Sequence, residues 1–494
     1  MACLIAAPCS GSGKTLLSLA ISSLLRRSGA SVQVFKVGPD YLDPQLLGRV
    51  SGRPCRNLDR LLCGEEWLQR AFHWWGGQAD HCLVEGVMGL FDGRGPSADG
   101  SSAEVATLLG LPVVLVVEAS RQAGSLAALV RGFRDHQPGL ELAGVVLNGV
   151  STERHRALLS EALASIAMPL LGVLPRHPDL SLPSRHLGLL PPDELQGFQA
   201  RSEEWAALAE RNLDLERLLP LLAPPPPLTI CEGRTRDPIR WCLERSAQTP
   251  ADLECGGSRG DLPVAIAGDA AFHFRYPEAT ELLTALGLTP LPWQPLADQP
   301  LPRDCRAVIL PGGYPELHAA ELAASQRSQS DLRRAAAAAL PIYAECGGLL
   351  LLGQQLEDPL GEAHAMAGLL PFSARRGSLQ LGYRQATPFA DGLVTRRGEA
   401  LVGHEFHRWE LNDTVVDGSE RLWQLEGWGW APRLEGWTTP TLHASWLHLH
   451  WAGCSAICRR LRDAAALATP FAETAETPAD TAVAAPPWSV GASS

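Results

Sequence analysis

Continuous apolar runs alternate with amphipathic segments through the first part of the chain. The predicted strands share this apolar character and cover residues 2–6, 32–35, 82–84, 112–117, 143–147 and 170–174. Between them, segments 125–133 and 153–163 place apolar residues at helical spacing. Strands that are apolar at consecutive positions are typical of a parallel sheet covered by helices on both faces. The pattern therefore predicts an α/β domain built on a parallel sheet.

The pattern changes after residue 200. A helical segment at 203–222 ends in prolines 224–227, and sequence of low periodicity continues to residue 261. A new apolar strand then begins at residues 264–267. We therefore predict a first domain at 1–200, a helix with a Pro/Gly-rich linker at 201–261, and a second domain at 262–465. The remaining residues, 466–494, are mainly Ala, Thr, Pro, Glu and Ser, which predicts a disordered tail.

Composition limits the classes of partner. The 494 residues carry a formal net charge of −12, which argues against a general binder of nucleic acids. No apolar run reaches the roughly 18 residues of a membrane span, and the N-terminus lacks the basic region of a secretory signal. The 12 cysteines show no C-x-x-C pair, so neither a zinc site nor a disulfide framework is indicated. We expect a cytoplasmic protein that binds neither nucleic acid nor membrane.

A glycine-rich loop follows the first strand and precedes a helical pattern. Its residues resemble the P-loop G-x-x-x-x-G-K-[ST], although Pro8 stands at the first glycine position. The glycines let backbone N–H groups approach an anion, and the lysine adds positive charge. We predict that this loop binds the phosphates of ATP through Ser10, Gly11, Ser12, Gly13, Lys14 and Thr15.

Carboxylates follow two neighbouring predicted strands. Asp40 and Asp43 come after the second strand, and Glu85 comes after the third. Ligands in open α/β sheets bind at these strand ends, and carboxylate oxygens are preferred ligands of Mg²⁺. We predict that these residues, with Thr15, hold Mg²⁺. The alternative is that these carboxylates only stabilise turns through hydrogen bonds to the backbone. For Asp43 and Asp92, this role and the ligand role fit the sequence equally well.

A second reactive segment lies at residues 341–352. A short strand, the turn Glu345-Cys346-Gly347-Gly348 and a leucine-rich helix resemble a nucleophile elbow with cysteine in place of serine. The dipole at a helix N-terminus favours the thiolate, so Cys346 is the predicted nucleophile. The N–H groups of Gly313, in the loop after strand 307–310, and Gly347 are the predicted oxyanion hole.

A histidine is needed as the base, and the sequence offers several. His448 and His450 lie on one face of a predicted strand end, and His404 and His407 are rivals. Periodicity alone leaves this choice open. Elsewhere, Arg185 and His186 lie in a polar segment that could bind an acidic substrate or could be a solvated loop.

Together these motifs resemble the cobyrinate a,c-diamide synthase family over nearly all of residues 2–465. The segments that carry the resemblance are the variant P-loop and residues 36–44, 85–93, 183–188, 312–318, 344–348, 403–407 and 446–450. The resemblance implies a P-loop domain like dethiobiotin synthetase joined to a class I glutamine amidotransferase domain of flavodoxin-like α/β fold.

The resemblance also implies the chemistry. L-Glutamine would be hydrolysed at Cys346 with His448 as base, and ammonia would pass inside the protein to an ATP site that uses Mg²⁺. There an acetate side chain of cobyrinate would become an acyl phosphate that ammonia attacks. The candidate substrate contacts are Tyr41, Leu42, Arg185 and His186, and a homodimer is a candidate assembly.

The chain departs from the family pattern at one position. Many class I enzymes have His-x-Glu, whereas this chain has His448-Leu449-His450, so no carboxylate follows to orient the imidazole. The resemblance implies a Cys–His dyad, and the group that fixes the tautomer of His448 is open.

Other functions fit parts of the sequence. A relative that acts on hydrogenobyrinate or a nickel sirohydrochlorin would share these motifs, and substrate turnover distinguishes them. A partitioning or regulatory ATPase would use the P-loop alone, and glutamine-dependent ATP consumption would argue against it. A non-catalytic amidotransferase-like binding module is disfavoured by the presence of Cys346 and His448.

Overall fold

The computed structural model describes residues 2–176, 197–229, 235–247, 262–413 and 421–472, with the backbone of short strands at 184–185 and 188–189. The chain divides into two compact units, Met1–Pro238 and Ile239–Ser494. The division at residue 238 falls inside the segment 201–261 that was predicted to contain a linker. Residues 473–494 of the predicted tail lie outside the described residues. No described helix is long and apolar enough to cross a membrane.

The first unit is built on a parallel sheet. Its strands are β1 (Cys3–Ala6), β2 (Val32–Val37), β3 (Arg56–Leu58), β4 (His81–Glu85), β5 (Val113–Glu118), β6 (Leu142–Asn148) and β7 (Leu170–Leu174). In the described residues their order is β3-β2-β4-β1-β5-β6-β7, with every neighbouring pair parallel. Strands β8 (Ser184–Arg185) and β9 (Gly188–Leu189) form a separate antiparallel pair. The predicted parallel sheet is confirmed.

Helices cover this sheet because its strands are apolar on both faces. They are α1 (Lys14–Arg27), α2 (Leu42–Ser51), α3 (Arg60–Cys63), α4 (Glu65–Gly76), α5 (Ser102–Leu109), α6 (Ser125–Asp135), α7 (Glu153–Ala164), α8 (Phe198–Asn212) and α9 (Leu215–Leu218). A 3-10 helix follows at Leu219–Leu222. Leu17 of α1 and Trp205 of α8 belong to one buried apolar cluster. Helix α8, whose sequence lies mostly in the predicted linker segment, thus helps to enclose the core of the first unit.

The second unit contains a mixed sheet. Its strands are β10 (Leu262–Ala267), β11 (Leu288–Trp293), β12 (Ala307–Leu310), β13 (Ile342–Glu345), β14 (Gln355–Glu357), β15 (Ala363–Ala365), β16 (Phe372–Pro388), β17 (Leu401–Asp413), β18 (Arg421–Gly427), β19 (Trp430–Thr439) and β20 (Leu442–Ser445). The order β11-β10-β12-β13-β20 is parallel throughout, and antiparallel pairing starts at β20 and β19. The predicted α/β class is therefore confirmed for this unit as well.

The helices of the second unit lie before, between and after these strands. They are α10 (Pro238–Ser246), α11 (Pro277–Ala285), α12 (Ala319–Ala324), α13 (Gln326–Ala337), α14 (Gly347–Leu352) and α15 (Ala456–Leu467), with 3-10 helices at Pro295–Ala297 and Pro315–His318. Phe471, inside the predicted tail, is buried, and its N–H donates to the carbonyl of Cys305. The described start of that tail thus packs on the second unit.

Candidate active sites

The P-loop of the first unit connects β1 to α1 by a turn that requires glycine. Gly13 has φ 108°, and a Cβ there would lie 2.5 Å from Nδ2 of Asn148. That same nitrogen donates to the carbonyl of Ser12 at 3.1 Å. Asn148 ends strand β6, so the end of a neighbouring strand holds the loop where α1 begins. Such a loop directs backbone N–H groups and the positive end of a helix toward one place, as a phosphate site requires.

Lys14 contacts the loop that follows β4. Its Nζ donates to the carbonyl of Met88 at 2.6 Å. Burial lowers the pKa of Lys14, and repulsion from Lys36 lowers it further. A Cβ on Gly89 would lie 2.7 Å from the carbonyl of Pro8, so the 86–89 loop lies directly against the P-loop. The lysine side chain is therefore held at the junction of these two loops.

The three predicted carboxylates surround one buried ammonium group. Nζ of Lys36 lies 2.5 Å from Oδ2 of Asp43, 2.7 Å from Oε1 of Glu85 and 3.5 Å from Oδ2 of Asp40. Oγ1 of Thr15 donates to Glu85 at 3.0 Å and to Asp43 at 3.4 Å. The structure thus brings together Thr15, Asp40, Asp43 and Glu85, as the sequence predicted, and adds Lys36.

The protonation of this cluster follows from burial and from the lysine. Burial would lower the pKa of Lys36, but the surrounding carboxylates hold it well above the usual value. Burial tends to raise the pKa of Asp43, but Lys36 outweighs it and the pKa falls. Burial raises the pKa of Glu85, and burial with the charge of Asp43 raises the pKa of Asp40 to about 7. Asp40 can therefore be protonated near neutral pH.

Aspartate side chains of the first unit also accept hydrogen bonds from backbone N–H groups in turns. Oδ1 of Asp40 accepts from the N–H groups of Leu42 and Asp43 at the start of α2, so Asp40 caps that helix as well as facing Lys36. Asp92 accepts from the N–H of Gly89 at 2.7 Å. Tyr41 and Leu42, the predicted substrate contacts, are largely buried beside this cap. The side chains of Arg185 and His186 lie outside the described residues.

The turn at Cys346 in the second unit has strained backbone geometry. Cys346 follows β13 with φ 48° and ψ −108°, and helix α14 begins at the next residue. A non-glycine residue at such angles is costly and persists where the surroundings impose it. A Cβ on Gly348 would lie 2.1 Å from the carbonyl oxygen of Leu310, so only glycine lets α14 approach β12 this closely. The predicted strand–turn–helix arrangement around the thiol is present.

His448 is the histidine that interacts with the thiol of Cys346. Burial would lower its pKa, but the Cys346 thiolate and the Glu345 carboxylate favour the imidazolium and raise the pKa to about 10. Nδ1 of His448 lies 3.6 Å from Oε2 of Glu345. A Cβ on Gly312 would lie 2.4 Å from Cε1 of His448, so Gly312 leaves room for the imidazole ring.

The rival histidines make other contacts. His407 stacks on Trp446 with ring centroids 3.8 Å apart, and its Nδ1 lies 2.8 Å from the carbonyl of Trp409. His450 has its Nε2 3.7 Å from Oε2 of Glu278. His404 pairs with His448 through two backbone hydrogen bonds of 2.9 Å.

His404 does not carry charge near neutral pH. Burial, with the neighbouring charge of His448, lowers its pKa to about 3. The chain beyond it passes close to the nucleophile, since the carbonyl of Phe406 lies 3.9 Å from Sγ of Cys346. His404 therefore belongs to the strand that borders the thiol, and its backbone fixes the position of His448.

Gly313 and Gly347, the predicted oxyanion donors, lie side by side. A Cβ on Gly347 would be 2.9 Å from the backbone nitrogen of Gly313. A Cβ on Gly313, which has φ 158°, would lie 2.0 Å from the carbonyl oxygen of Ala271. Both glycines thus allow two backbone segments to meet closely beside Cys346.

Sequence reasoning missed Lys36, Asn148 and Glu345 as site residues. Lys36 and Asn148 each lie at or near the carboxyl end of a predicted strand, a position that marks ligand sites in α/β sheets. Glu345 directly precedes Cys346, but no sequence signal joins it to His448, which lies on a distant segment.

Comparison with known proteins identifies the class of each unit. Residues 3–190 match the model of the CobQ/CobB/MinD/ParA nucleotide binding domain, and residues 263–455 match that of the CobB/CobQ-like glutamine amidotransferase domain. A P-loop unit joined to a glutamine amidotransferase unit defines a glutamine-dependent, amide-forming ligase.

Full-length relatives narrow this class to one family. Cobyrinate a,c-diamide synthase of Gloeobacter violaceus is 42% identical, covering 93% of this chain and 96% of the relative. The enzyme of the same name from Synechococcus sp. is 39% identical over 92% and 96%. Hydrogenobyrinate a,c-diamide synthase of Streptomyces coelicolor is 39% identical over 92% and 96%. The chain belongs to the cobyrinate and hydrogenobyrinate a,c-diamide synthase family.

Proposed function

We propose that this chain uses ATP and L-glutamine to amidate the a and c acetate carboxylates of cobyrinate, through acyl phosphate intermediates, in cobalamin biosynthesis. The observation that carries the proposal is the buried Cys346–His448 pair at a strained strand–helix turn, in a chain that also holds a P-loop. Glutamine hydrolysis and carboxylate activation need different chemistry, and the chain offers one site for each.

The second unit releases ammonia. The thiolate of Cys346 attacks the carboxamide carbon of glutamine, and the N–H groups of Gly313 and Gly347 stabilise the oxyanion. The C–N bond breaks as His448 gives its proton to the leaving nitrogen, which yields ammonia and a glutamyl thioester. Water, deprotonated by His448, then attacks the thioester and releases glutamate with the free thiol. The raised pKa of His448 means that Cys346 and Glu345 stabilise its imidazolium form before glutamine binds.

The first unit activates the carboxylate. A carboxylate is a poor electrophile, so transfer of the γ-phosphoryl group of ATP converts it to an acyl phosphate, and ammonia then displaces phosphate. The P-loop N–H groups and Lys14 bind the phosphates of ATP. Lys36 holds Asp40, Asp43 and Glu85 together, because without it their charges would repel one another.

The donor set beside the P-loop fits Mg²⁺. Thr15 offers a hydroxyl oxygen and Asp40, Asp43 and Glu85 offer carboxylate oxygens, which are the donor types that Mg²⁺ prefers alongside nucleotide phosphates. The ion would supply positive charge that offsets the negative charge of the phosphates during transfer. Of the four, Asp43 and Glu85 both contact the hydroxyl of Thr15, so these three residues would hold it most directly.

Two corrinoids are candidate substrates. Relatives named for cobyrinate and for hydrogenobyrinate are similar to this chain at 42% and 39% identity, respectively. Hydrogenobyrinate is therefore the second candidate. Incubation with ATP, Mg²⁺, glutamine and each of the two compounds, followed by product masses, would show which compound gains one or two amides.

The nucleophile assignment has a direct test. Cys346→Ser should abolish synthesis with glutamine but leave synthesis with added ammonium salt largely intact, because ammonia bypasses glutamine hydrolysis. Steady-state rates with each nitrogen source provide the measurement. Equal loss of both activities in a folded variant would contradict the two-site proposal.

A further inference from the structure

A carboxylate that no sequence motif identifies lies next to the imidazole of His448. Oε2 of Glu345 is 3.6 Å from Nδ1 of His448, an ion-pair distance slightly longer than a hydrogen bond. Both side chains are buried, with 9% of Glu345 and 1% of His448 exposed. In enzymes without bound substrate such contacts are often long and shorten in the reacting complex. The carboxylate thus faces the ring nitrogen that an orienting group must contact.

Other donors hold Glu345 in this orientation. Its Oε1 accepts from the hydroxyl of Tyr343 and from the N–H of Leu449 at 3.3 Å. The hydroxyl of Tyr343 in turn accepts from Nε1 of Trp451 at 3.1 Å. Because one oxygen receives these donors, the other is left directed at His448. A buried carboxylate with this support has little freedom to turn away from the imidazole.

The position where class I enzymes place their orienting carboxylate is filled differently here. Two residues after His448 the chain has His450, whose Nε2 lies 3.7 Å from Oε2 of Glu278. His450 also stacks on Tyr276, with ring centroids 4.1 Å apart. His450, which occupies the usual position of the carboxylate, therefore forms a separate buried pair with Glu278 and supplies no carboxylate to His448.

We propose that Glu345 is the positioning carboxylate of this site, and that it acts from the residue before the nucleophile. It fixes His448 with a proton on Nδ1, leaves Nε2 as the nitrogen available to the thiol, and stabilises the imidazolium that forms opposite the thiolate. This inference rests on the proposed roles of Cys346 and His448. The reaction then uses a Cys–His–Glu triad whose carboxylate comes from β13.

The charges that face His448 determine what removal of Glu345 should do. Among the described residues, the Cys346 thiolate and the Glu345 carboxylate favour the imidazolium, while burial opposes it. His404, paired to His448 through the backbone, is neutral because its pKa is lowered to about 3. Loss of the Glu345 charge should therefore lower the pKa of His448, so the imidazolium would lose its proton at lower pH.

The test is the pH profile of glutaminase kcat/KM in the full chain. Glu345→Gln keeps the shape of the side chain and an acceptor for Tyr343 but removes the charge. We expect its alkaline limb, which reports deprotonation of the His448 imidazolium, to move about 1–3 pH units lower. We also expect kcat/KM at the optimum to fall by about 100-fold or more. Tyr343→Phe, which loses a hydrogen bond to the same carboxylate but keeps its charge, should leave the limb in place.

A purely structural role predicts a different result. Glu345→Gln would then lower the thermal stability or the amount of active protein, with the alkaline limb unchanged, and that result would overturn the inference. If Glu345→Gln does not fold, Glu345→Asp replaces it, because it keeps the charge and lengthens the gap to His448. The inference expects a reduced rate for Glu345→Asp with the limb nearly retained, and an unchanged rate would overturn it.

Cys346→Ser, measured in parallel, separates this inference from the proposed function. If Cys346→Ser loses glutaminase activity while Glu345→Gln keeps the parent pH profile, only the role of Glu345 is overturned. If Cys346→Ser retains full glutaminase activity, the proposed nucleophile and the role of Glu345 are both overturned. Loss of activity in Cys346→Ser together with a shifted limb in Glu345→Gln supports both.

Discussion

His448 and His450 have the same side chain and lie two residues apart, yet their surroundings give them different chemistry. His448 faces Cys346 and Glu345, and its pKa is raised to about 10. His450 faces Glu278 and stacks on Tyr276. At the scale of the residue, the local environment rather than the residue type decides which imidazole can exchange a proton with the thiol.

Substitution of each histidine tests this difference. His448→Asn should lower glutaminase activity by about two to four orders of magnitude, as expected for loss of a general base. His450→Asn should lower activity less, because its effect would come through packing at Glu278. Glutaminase rates of both variants, with thermal melting as a control for folding, make the comparison. The reverse ranking would assign the base to His450.

Residue types at strand ends could be predicted from the sequence, but contacts between distant segments could not. Asp40, Asp43 and Glu85 were expected beside the P-loop because parallel strands end at the same edge of a sheet. Lys36 was not singled out, since a lysine near the end of an apolar strand gives no sign that it points into a carboxylate cluster. Glu345 was missed for a similar reason, because its partner His448 lies on a segment that only the fold brings near.

At the scale of the element, apolar continuity made most strands of the first unit predictable. Strand β3 (Arg56–Leu58) was missed because it is short and two of its three residues are polar. Its pairing with β2 at the sheet edge makes it a strand, and Nδ2 of Asn57 donates to the carbonyls of Gly38 and Asp40. This strand thus supports the loop that carries Asp40, which no local pattern shows.

The antiparallel strands of the second unit escaped sequence analysis for another reason. Strands β16 and β17 are long, and β16 has buried residues only near its two ends and contains several arginines. Their pairing is stabilised by a buried ion cluster in which Glu405 contacts Arg384 at 2.6 Å and also contacts Arg433. Because Glu405 lies next to Phe406, this cluster fixes the strand that borders Cys346.

The ion cluster around Glu405 should make the stability of the fold depend on pH. Burial would raise the pKa of Glu405, but His407, Arg433 and Arg384 lower it from 4.5 to about 2. A carboxylate whose pKa is lower in the folded state stabilises the fold above its unfolded pKa, and this stability is lost as pH falls through the folded pKa. The free energy of unfolding should therefore fall by about 3 kcal/mol, from this group alone, between roughly pH 4.5 and pH 2.

Substitution tests the assignment to Glu405. Glu405→Gln should lower stability near neutral pH by about 3–5 kcal/mol, because it leaves the buried guanidinium group of Arg384 without a counter-ion. Its stability should also vary less between pH 4.5 and 2 than that of the parent. Glu410→Gln, which removes a largely exposed partner of Arg375 from the same strand, is the matched control and should change little. Equal acid sensitivity in Glu405→Gln and the parent would contradict the assignment.

At the scale of the whole molecule, the chain combines two sets of chemical groups that need different surroundings. The thiol site requires a strained turn and a buried imidazole, and the P-loop site requires converging N–H groups and clustered carboxylates. Each set lies in its own compact unit, Ile239–Ser494 and Met1–Pro238, respectively. The order of strands in the first unit was largely predictable, since it follows from apolar runs and turn residues, whereas the antiparallel strands of the second unit were not predicted. Apolar runs and turn residues do not specify which corrinoid the enzyme amidates.

Because the two sites lie in different units, the carboxylates of the first unit can be tested without changing the thiol site. Asp40→Asn and Glu85→Gln keep the side-chain shape but remove a charge from the cluster around Lys36. If these carboxylates hold Mg²⁺ or position the acyl phosphate, each variant should stop amidation with glutamine and with ammonium chloride alike, because an amide cannot supply the charge that phosphoryl transfer requires. Glutamine hydrolysis should persist, since Cys346 and His448 are unchanged.

Turn capping predicts a different outcome for the same variants. Asparagine at position 40 retains the oxygen that accepts from the N–H groups of Leu42 and Asp43. If capping were the only role of Asp40, Asp40→Asn would fold and turn over almost normally. Asp92→Asn is the matched control, because Asp92 accepts from the N–H of Gly89 and should tolerate the change. Rates with ammonium chloride decide between the two roles, and near-normal turnover in both Asp40→Asn and Glu85→Gln would exclude these carboxylates from the synthetase site.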